Sequence, residues 1–258
     1  MTSVLGAEEL TRTELLGGRV ICLQPAQGFR VAIDAVLLAA AVPAGPGATV
    51  LDVGTGTGAA ALCVAARVAD VSVVGLDIQD HLVPVAHENA VLSGLAGRVR
   101  MVAGDLLAPP DEVPAASFDH VIANPPYMKA GAGQVPADPG KAMATIEGRA
   151  TLADWLHFCA QRAKPGGTVT VVHRHDRLDE VLTGLNPIMG PLTVLPLLPK
   201  VDAAPKRVLV QALRGGEPAV RYMAGLVLHE AGRQYTAAAE SVLRDAAPLL
   251  LSGDDDLV

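Results

Sequence analysis

The chain has 258 residues, half of them hydrophobic, and its 20 basic and 27 acidic side chains leave a net charge of -7. That length suits one large domain or two small ones, and an aromatic content of only 3% favours helices packed on a sheet over an aromatic-rich binding surface. No apolar run of about 18 residues free of Pro, Gly and charge is present, which excludes a membrane-spanning helix, and three scattered cysteines (Cys22, Cys63, Cys159) with no C-x-x-C pair exclude a disulfide framework or structural zinc and suggest reduced thiols in the cytoplasm.

The first segment, MTSVLGAEELTRTELLGG, carries three glutamates and no apolar h-region, unlike a signal peptide. Residues 17–44 predict a short strand pair and then a helix, with Asp34 as its N-cap. Strands and helices then alternate. ATVLDV (48–53) is a strand ending in an acid, followed by a small-residue helix over 59–69. VSVVGLD (71–77), a helix over 80–93, RVRMVAGD (98–105) and FDHVIAN (118–124) come next. A helix over 150–163 is stopped by Lys164-Pro165-Gly166-Gly167. TVTVVH (168–173), LTVLPLL (192–198) and KRVLVQAL (206–213) complete a set of seven strands. A last helix lies in YTAAAESVLRDAA (235–247), where Thr236 and Glu240 only approximate a capping box, and GDDDLV forms an acidic tail.

Continuous apolar strands alternating with helices indicate an α/β fold whose mostly parallel sheet is covered on both faces. Such sheets bind ligands at the carboxyl ends of their strands. A single domain is expected, with an N-terminal strand and helix extension (1–47), a core (48–215) and a C-terminal extension with the acidic tail (216–258).

At the first such strand end, LDVGTGTGAAAL (51–62) joins strand to helix. Gly54, Gly56 and Gly58 let the backbone turn sharply and let a ligand approach without a Cβ in the way. Asp77 ends the next strand, where a carboxylate can accept both hydrogen bonds of a ribose diol. The spacing is G-x-G-x-G, without the further glycine of the dinucleotide fingerprint, and the loop alone leaves NAD and S-adenosylmethionine both open. Asp105 closes the third strand, where it can accept from the exocyclic amine of an adenine, or simply close a turn.

Glycine loop, Asp77 and Asp105 on three successive strands resemble the class I S-adenosylmethionine-dependent methyltransferases, with their Rossmann-like seven-stranded sheet. That resemblance selects S-adenosylmethionine over NAD. The segment after the fourth strand, Asn124-Pro125-Pro126-Tyr127, then takes on a chemical meaning. Asn124 precedes a proline and is pushed toward extended geometry, and the two prolines have fixed φ and no N–H. The stiff turn offers two acceptors, the Asn124 side-chain oxygen and the Pro125 carbonyl, to an exocyclic amine on a flat ring. Holding both protons localises the nitrogen lone pair for attack on a sulfonium methyl. Tyr127 offers a face for the ring to stack on, once the base is unstacked or flipped.

The chain is similar to amino-methyltransferases carrying N-P-P-Y. RVICLQPAQGFRVAIDAVLLAAAVP, PKRVLVQALRGG and LVLHEAGRQYTAAAESVL resemble the tRNA1(Val) adenine N6-methyltransferase family, over about residues 17–245. The resemblance implies N6-methylation of an adenine in tRNA beside the anticodon. It implies that Asn124, Pro125 and Tyr127 grip the base, that Gly54, Gly56, Gly58, Asp77 and Asp105 hold the cofactor, and that Arg30 and Asp34 border its pocket. Release-factor glutamine methyltransferases share N-P-P-Y, but they usually carry a helical recognition domain ahead of the glycine loop, and only about 50 residues precede Gly54 here. A DNA adenine methyltransferase would need a target-recognition insert, and a non-catalytic cofactor- or RNA-binding module has no need of Asn124 and Tyr127.

The acidic balance is uneven. Residues 129–177 carry 7 basic and 4 acidic side chains and form the only net-positive portion. Either this is a solvated face or it is a phosphate-facing surface, with Lys129, Lys141, Arg149, Arg174, Lys206 and Arg207 as tRNA contacts. His173 and His175 alternate on a strand without a third ligand, so an ordinary surface pair is expected and no metal site.

Overall fold

The computed structural model describes residues 10–27, 30–129, 131, 142–143 and 145–251; Lys141 and the acidic tail fall outside them. The chain opens with a hairpin of β1 (Leu10–Leu15) and β2 (Val20–Pro25), so the strand pair begins earlier than residue 17. It turns through Leu16, Gly17 and Gly18, all at positive φ, which two glycines make tolerable. Then come α1 (Ile33–Ala40), β3 (Thr49–Val53), α2 (Ala59–Arg67), β4 (Ser72–Asp77), α3 (Leu82–Leu92), β5 (Val99–Ala103) and β6 (Phe118–Ala123). After the diproline corner follow α4 (Leu152–Arg162), β7 (Ala163–Arg174), α5 (Leu178–Leu185), β8 (Leu192–Leu198) and β9 (Arg207–Leu213). Two short strands, β10 (Val220–Tyr222) and β11 (Leu226–Val227), precede the last helix, α6 (Ala237–Asp245).

The main sheet runs β10-β8-β9-β7-β6-β3-β4-β5, with β11 also on β8. From β5 to β7 all pairs are parallel, and β9 runs antiparallel between β7 and β8. The seven expected strands are present, and β10 and β11 widen the sheet to nine by parallel pairing with β8. All three residues of β10 are exposed and β11 has only two, so neither leaves the apolar run by which a strand is recognised.

Strand alternation divides the core in two. Val50 packs with Leu37 of α1, Leu62 of α2 and Val242 of α6 on one face, whereas Leu51 and Val53 join Leu156 of α4 and Val181 of α5 on the other. Asp52, between Leu51 and Val53, therefore lies on the α2 side of the sheet. Thr151 and Asp154 form a reciprocal capping box on α4, and the Thr236 hydroxyl accepts from the Ala239 N–H at the start of α6. Asp34 does not cap α1: Ala32 occupies that position and caps it with no side-chain bond. Order reverses around β3, where the chain crosses from β4 and β5 on one side to β6 on the other, and the ends of β3, β4 and β6 open onto one hollow.

Candidate active site

The hollow has a volume of about 320 Å³ and is walled by the glycine loop, the ends of β3 and β4, the diproline corner and Trp155. Its three glycines serve three different ends. All have positive φ (72°, 57° and 86°). A Cβ on Gly54 would sit 2.4 Å from the Trp155 ring, and one on Gly58 would sit 2.7 Å from the Met101 methyl, so these two make room for protein. A Cβ on Gly56 would meet nothing within 4 Å, so this is the glycine that leaves open space.

The loop is braced from below by two buried acids. Gly58 stands at the N-cap of α2 and has no side chain to offer. Asp52 supplies the acceptor instead, taking the Ala61 N–H at 3.1 Å and the Thr55 hydroxyl at 2.7 Å. Burial pushes its carboxyl up to about 6, partly offset by those two bonds. Asp77 accepts from the Gly56 N–H at 2.7 Å and the Gln79 N–H at 2.8 Å; burial raises its carboxyl too. Sequence reasoning singled out Asp77 but not Asp52, although an acid inside an otherwise apolar strand was the available signal. It also passed over Asn89, fully buried on α3, whose amide bonds to the Leu23 and Thr57 carbonyls and bolts the hairpin to the loop.

These contacts decide what the hollow can hold. The N–H groups of Gly54 and Thr55 both donate to the Leu76 carbonyl, that of Gly56 to Asp77 and that of Gly58 to the Thr55 carbonyl. Four of the loop amides are thus engaged within the protein. The walls carry Asp52, Asp77 and Asp105, with no lysine or arginine among the described residues. Acidic walls suit a ligand with positive charge and a diol, as S-adenosylmethionine has, and disfavour the doubly anionic bridge of a dinucleotide.

Asp105 lies on this wall, accepting from the Leu107 N–H at 2.9 Å in a turn while its other oxygen stands 3.4 Å from Arg149. Arg30 is exposed and forms no part of the wall, and Asp34 also stands outside it, its carboxylate turned to Tyr127 and Arg207.

At the exit of β6, Asn124, Pro125, Pro126 and Tyr127 all line the same hollow. The Asn124 side-chain oxygen is buried and accepts no hydrogen bond from any other described residue. Such an orphan costs about 1–3 kcal/mol unless something fills it. The neighbouring corner is held from behind. His173 is not a surface residue but only 1% exposed, because β7 is covered on both faces, and its Nε2–H donates to the Pro126 carbonyl at 3.3 Å. Burial, then the nearby Arg177, push its imidazole down to about 4, so it stays neutral. Arg177 pairs with Glu147 at 2.5 Å and Glu180 at 2.9 Å and reaches the Tyr127 carbonyl. The Tyr127 hydroxyl donates to Asp34 at 2.7 Å, and the Arg207 guanidinium stands 4.3 Å from its ring centre.

Most of the cations expected to meet tRNA are already paired with carboxylates of the same chain. Lys129 pairs with Glu180, Arg149 with Asp105 and Arg174 with Asp176, while Arg207 bonds Asp34. Lys206 is exposed. Among the described residues no group of three or more His, Cys, Asp or Glu is arranged to hold a metal, and no helix is long and apolar enough to cross a membrane.

Comparison with known proteins agrees with this geometry. Residues 44–181 match the family model described as a methyltransferase domain. A tRNA1(Val) (adenine(37)-N6)-methyltransferase of Bacteroides thetaiotaomicron is 30% identical over 221 residues, 84% of this chain and 90% of that one. The protein of the same name from Aeromonas salmonicida is 32% identical over 155 residues, 60% of this chain and only 63% of its relative. A solved structure, described as a predicted O-methyltransferase from Agrobacterium tumefaciens, superposes with a TM-score of 0.71 at 22% identity, over 84% of this chain and 98% of that one, and shares the fold. The chain belongs to the tRNA1(Val) adenine-N6-methyltransferase family, built on the class I methyltransferase fold.

Proposed function

We propose that the chain methylates the exocyclic N6 amine of an adenine in tRNA, beside the anticodon, using S-adenosylmethionine, in the cytoplasm. The observation that carries this reading is the buried Asn124 oxygen, without a partner among the described residues, on the wall of an acid-lined hollow. A neutral N–H donor satisfies that oxygen, and an exocyclic amine brings two.

In this reading Asn124 Oδ1 accepts one amine proton and the Pro125 carbonyl the other, which draws the lone pair out of conjugation with the ring. S-adenosylmethionine supplies an electrophilic methyl on a sulfonium. Asp77 and the turn through Gly54, Gly56 and Gly58 hold it at the ends of β3 and β4, with Asp105 toward its adenine. The Asp52 carboxylate keeps the loop in shape rather than meeting the substrate. The methylated, positively charged nitrogen would lose its proton to solvent after transfer, so the methyl step itself needs no side-chain base. Positioning then supplies most of the acceleration, on the order of 7–11 kcal/mol for well-aligned reactants. The names of the relatives support tRNA as the substrate. The internal pairing of Lys129, Arg149 and Arg174 means that docking on phosphates exchanges existing ion pairs for new ones.

The test is Asn124→Ala. Transfer of label from S-adenosylmethionine to tRNA is expected to fall by at least about a hundredfold, the scale of losing one preorganised polar contact, while cofactor affinity by calorimetry is unchanged. Retained turnover would remove the amine grip. DNA fragments and release factors run in parallel; label on protein alone would transfer the reading to a glutamine amide.

A further inference from the structure

Tyr127 is gripped by side chains from two elements remote in sequence. Asp34, in the first turn of α1, accepts the Tyr127 hydroxyl at 2.7 Å and the Arg207 Nε–H at 3.3 Å on the same oxygen. Arg207, at the start of β9, lays its guanidinium 4.3 Å from the ring centre. His173 meets the ring edge-on, at 5.4 Å and 83°. The Asp34 side chain is 14% exposed and that of Arg207 is 32% exposed, so the carboxylate is largely buried while the guanidinium keeps an edge in water. One face of the ring is thereby occupied, and the ring still lines the hollow beside Asn124. A tyrosine free to turn would offer edge and face by turns; a clamped one keeps a single plane beside the amine acceptor.

We propose that Arg207 and Asp34 are positioning residues for the target base: together they lock the Tyr127 ring so that its remaining face receives one flat, unstacked nucleobase next to Asn124. This rests on the adenine reading above. Arg207 thus acts through Tyr127 rather than as one of the cations that meet RNA phosphates. The order of the base is prepaid by the protein, and the gain appears in turnover of RNA rather than in cofactor affinity.

Steady-state methylation of tRNA by Arg207→Ala and Arg207→Lys, each also combined with Tyr127→Ala, tests this. Arg207→Ala is expected to lose about tenfold in kcat/KM for tRNA, within the range of a lost base–aromatic stack, with cofactor affinity unchanged. Arg207→Lys, which keeps the charge but not the flat guanidinium, falls equally. In the Tyr127→Ala background the loss disappears. Full rescue by lysine, an additive loss without Tyr127, or a salt dependence shallower by about one phosphate contact would each overturn the proposal. A second arm needs no turnover. Burial and the Asp34 charge hold the Tyr127 phenol far above its ordinary range. Its share of tyrosinate absorbance, taken as the difference from Tyr127→Phe, is expected at lower pH in Asp34→Ala than in the parent. The same titration in both overturns the clamp whether or not any RNA is methylated. An intact clamp in a parent chain that methylates no RNA overturns the adenine reading, and the base-positioning role with it.

Discussion

Gly54→Ala is the smallest change that tests how the hollow is built. Gly54 has a φ of 72°, a left-handed conformation that costs an L-residue about 1–2 kcal/mol. Its new Cβ would also lie 2.4 Å from Cη2 and 2.8 Å from Cζ3 of Trp155. Ordinary carbon contact is about 3.5–4.0 Å, so the indole must retreat by roughly 1 Å or more. Trp155 is anchored on α4, beside the fully buried Leu156, and a forced rotamer adds about 0.5–1.5 kcal/mol. The two terms together give about 2–3 kcal/mol, which for a chain of this length lowers the melting temperature by roughly 5–10 °C. Trp155 is the only tryptophan, so its emission reports the displacement without labelling. Calorimetry on the same sample is expected to show weaker cofactor binding, because the displaced indole lines the hollow. A variant with parental melting, emission and affinity would refute the packing of Trp155 on Gly54 and the role given to this glycine.

Three further outcomes follow from the acids and the acceptors. Asp77→Ala removes the acceptor of the Gly56 N–H and the proposed ribose contact, and is expected to weaken cofactor binding by about 10–100-fold, the scale of a charge-assisted hydrogen bond; unaltered affinity would mean the contact is misassigned. Asp52 has a folded-state pKa of about 6 against an ordinary 3.8, so its proton stabilises the fold fully below the ordinary value and that contribution is lost as pH rises through about 6. The gap corresponds to about 3 kcal/mol, and Asp52→Asn is therefore expected to gain stability over the parent at pH 8 but not at pH 4 in denaturant titrations; the same stability difference at both pH values would refute the buried acid. For Asn124→Ala, loss of transfer without loss of cofactor binding separates the amine grip from a general collapse of the site.

Much of the sheet was legible because its signals are local. Apolar runs mark β3 to β9, a Pro-Gly-Gly stop ends α4, and the glycine spacing after β3 demands a tight turn whatever surrounds it. The diproline corner is likewise stiff by its own covalent chemistry, so its acceptors were readable from four residues. What escaped depends on partners distant along the chain. β10 and β11 are strands only because β8 offers them an edge. His173 reads as half of a surface pair by alternation, yet β7 lies inside the sheet and buries it. Asp34 has the type and place of a helix cap, but a hydroxyl 93 residues away claims its carboxylate.

The sequence by itself determined the alternation of strand and helix, the glycine turn and the rigid diproline corner, since each follows from backbone freedom and side-chain volume within a few neighbouring residues. Only the tertiary structure decided that Asp52 braces the loop, that Gly54 yields its space to Trp155, and that Arg207 faces Tyr127, 80 positions away in sequence. Those pairings are set by which strand ends the parallel crossovers bring side by side, and no local pattern encodes that.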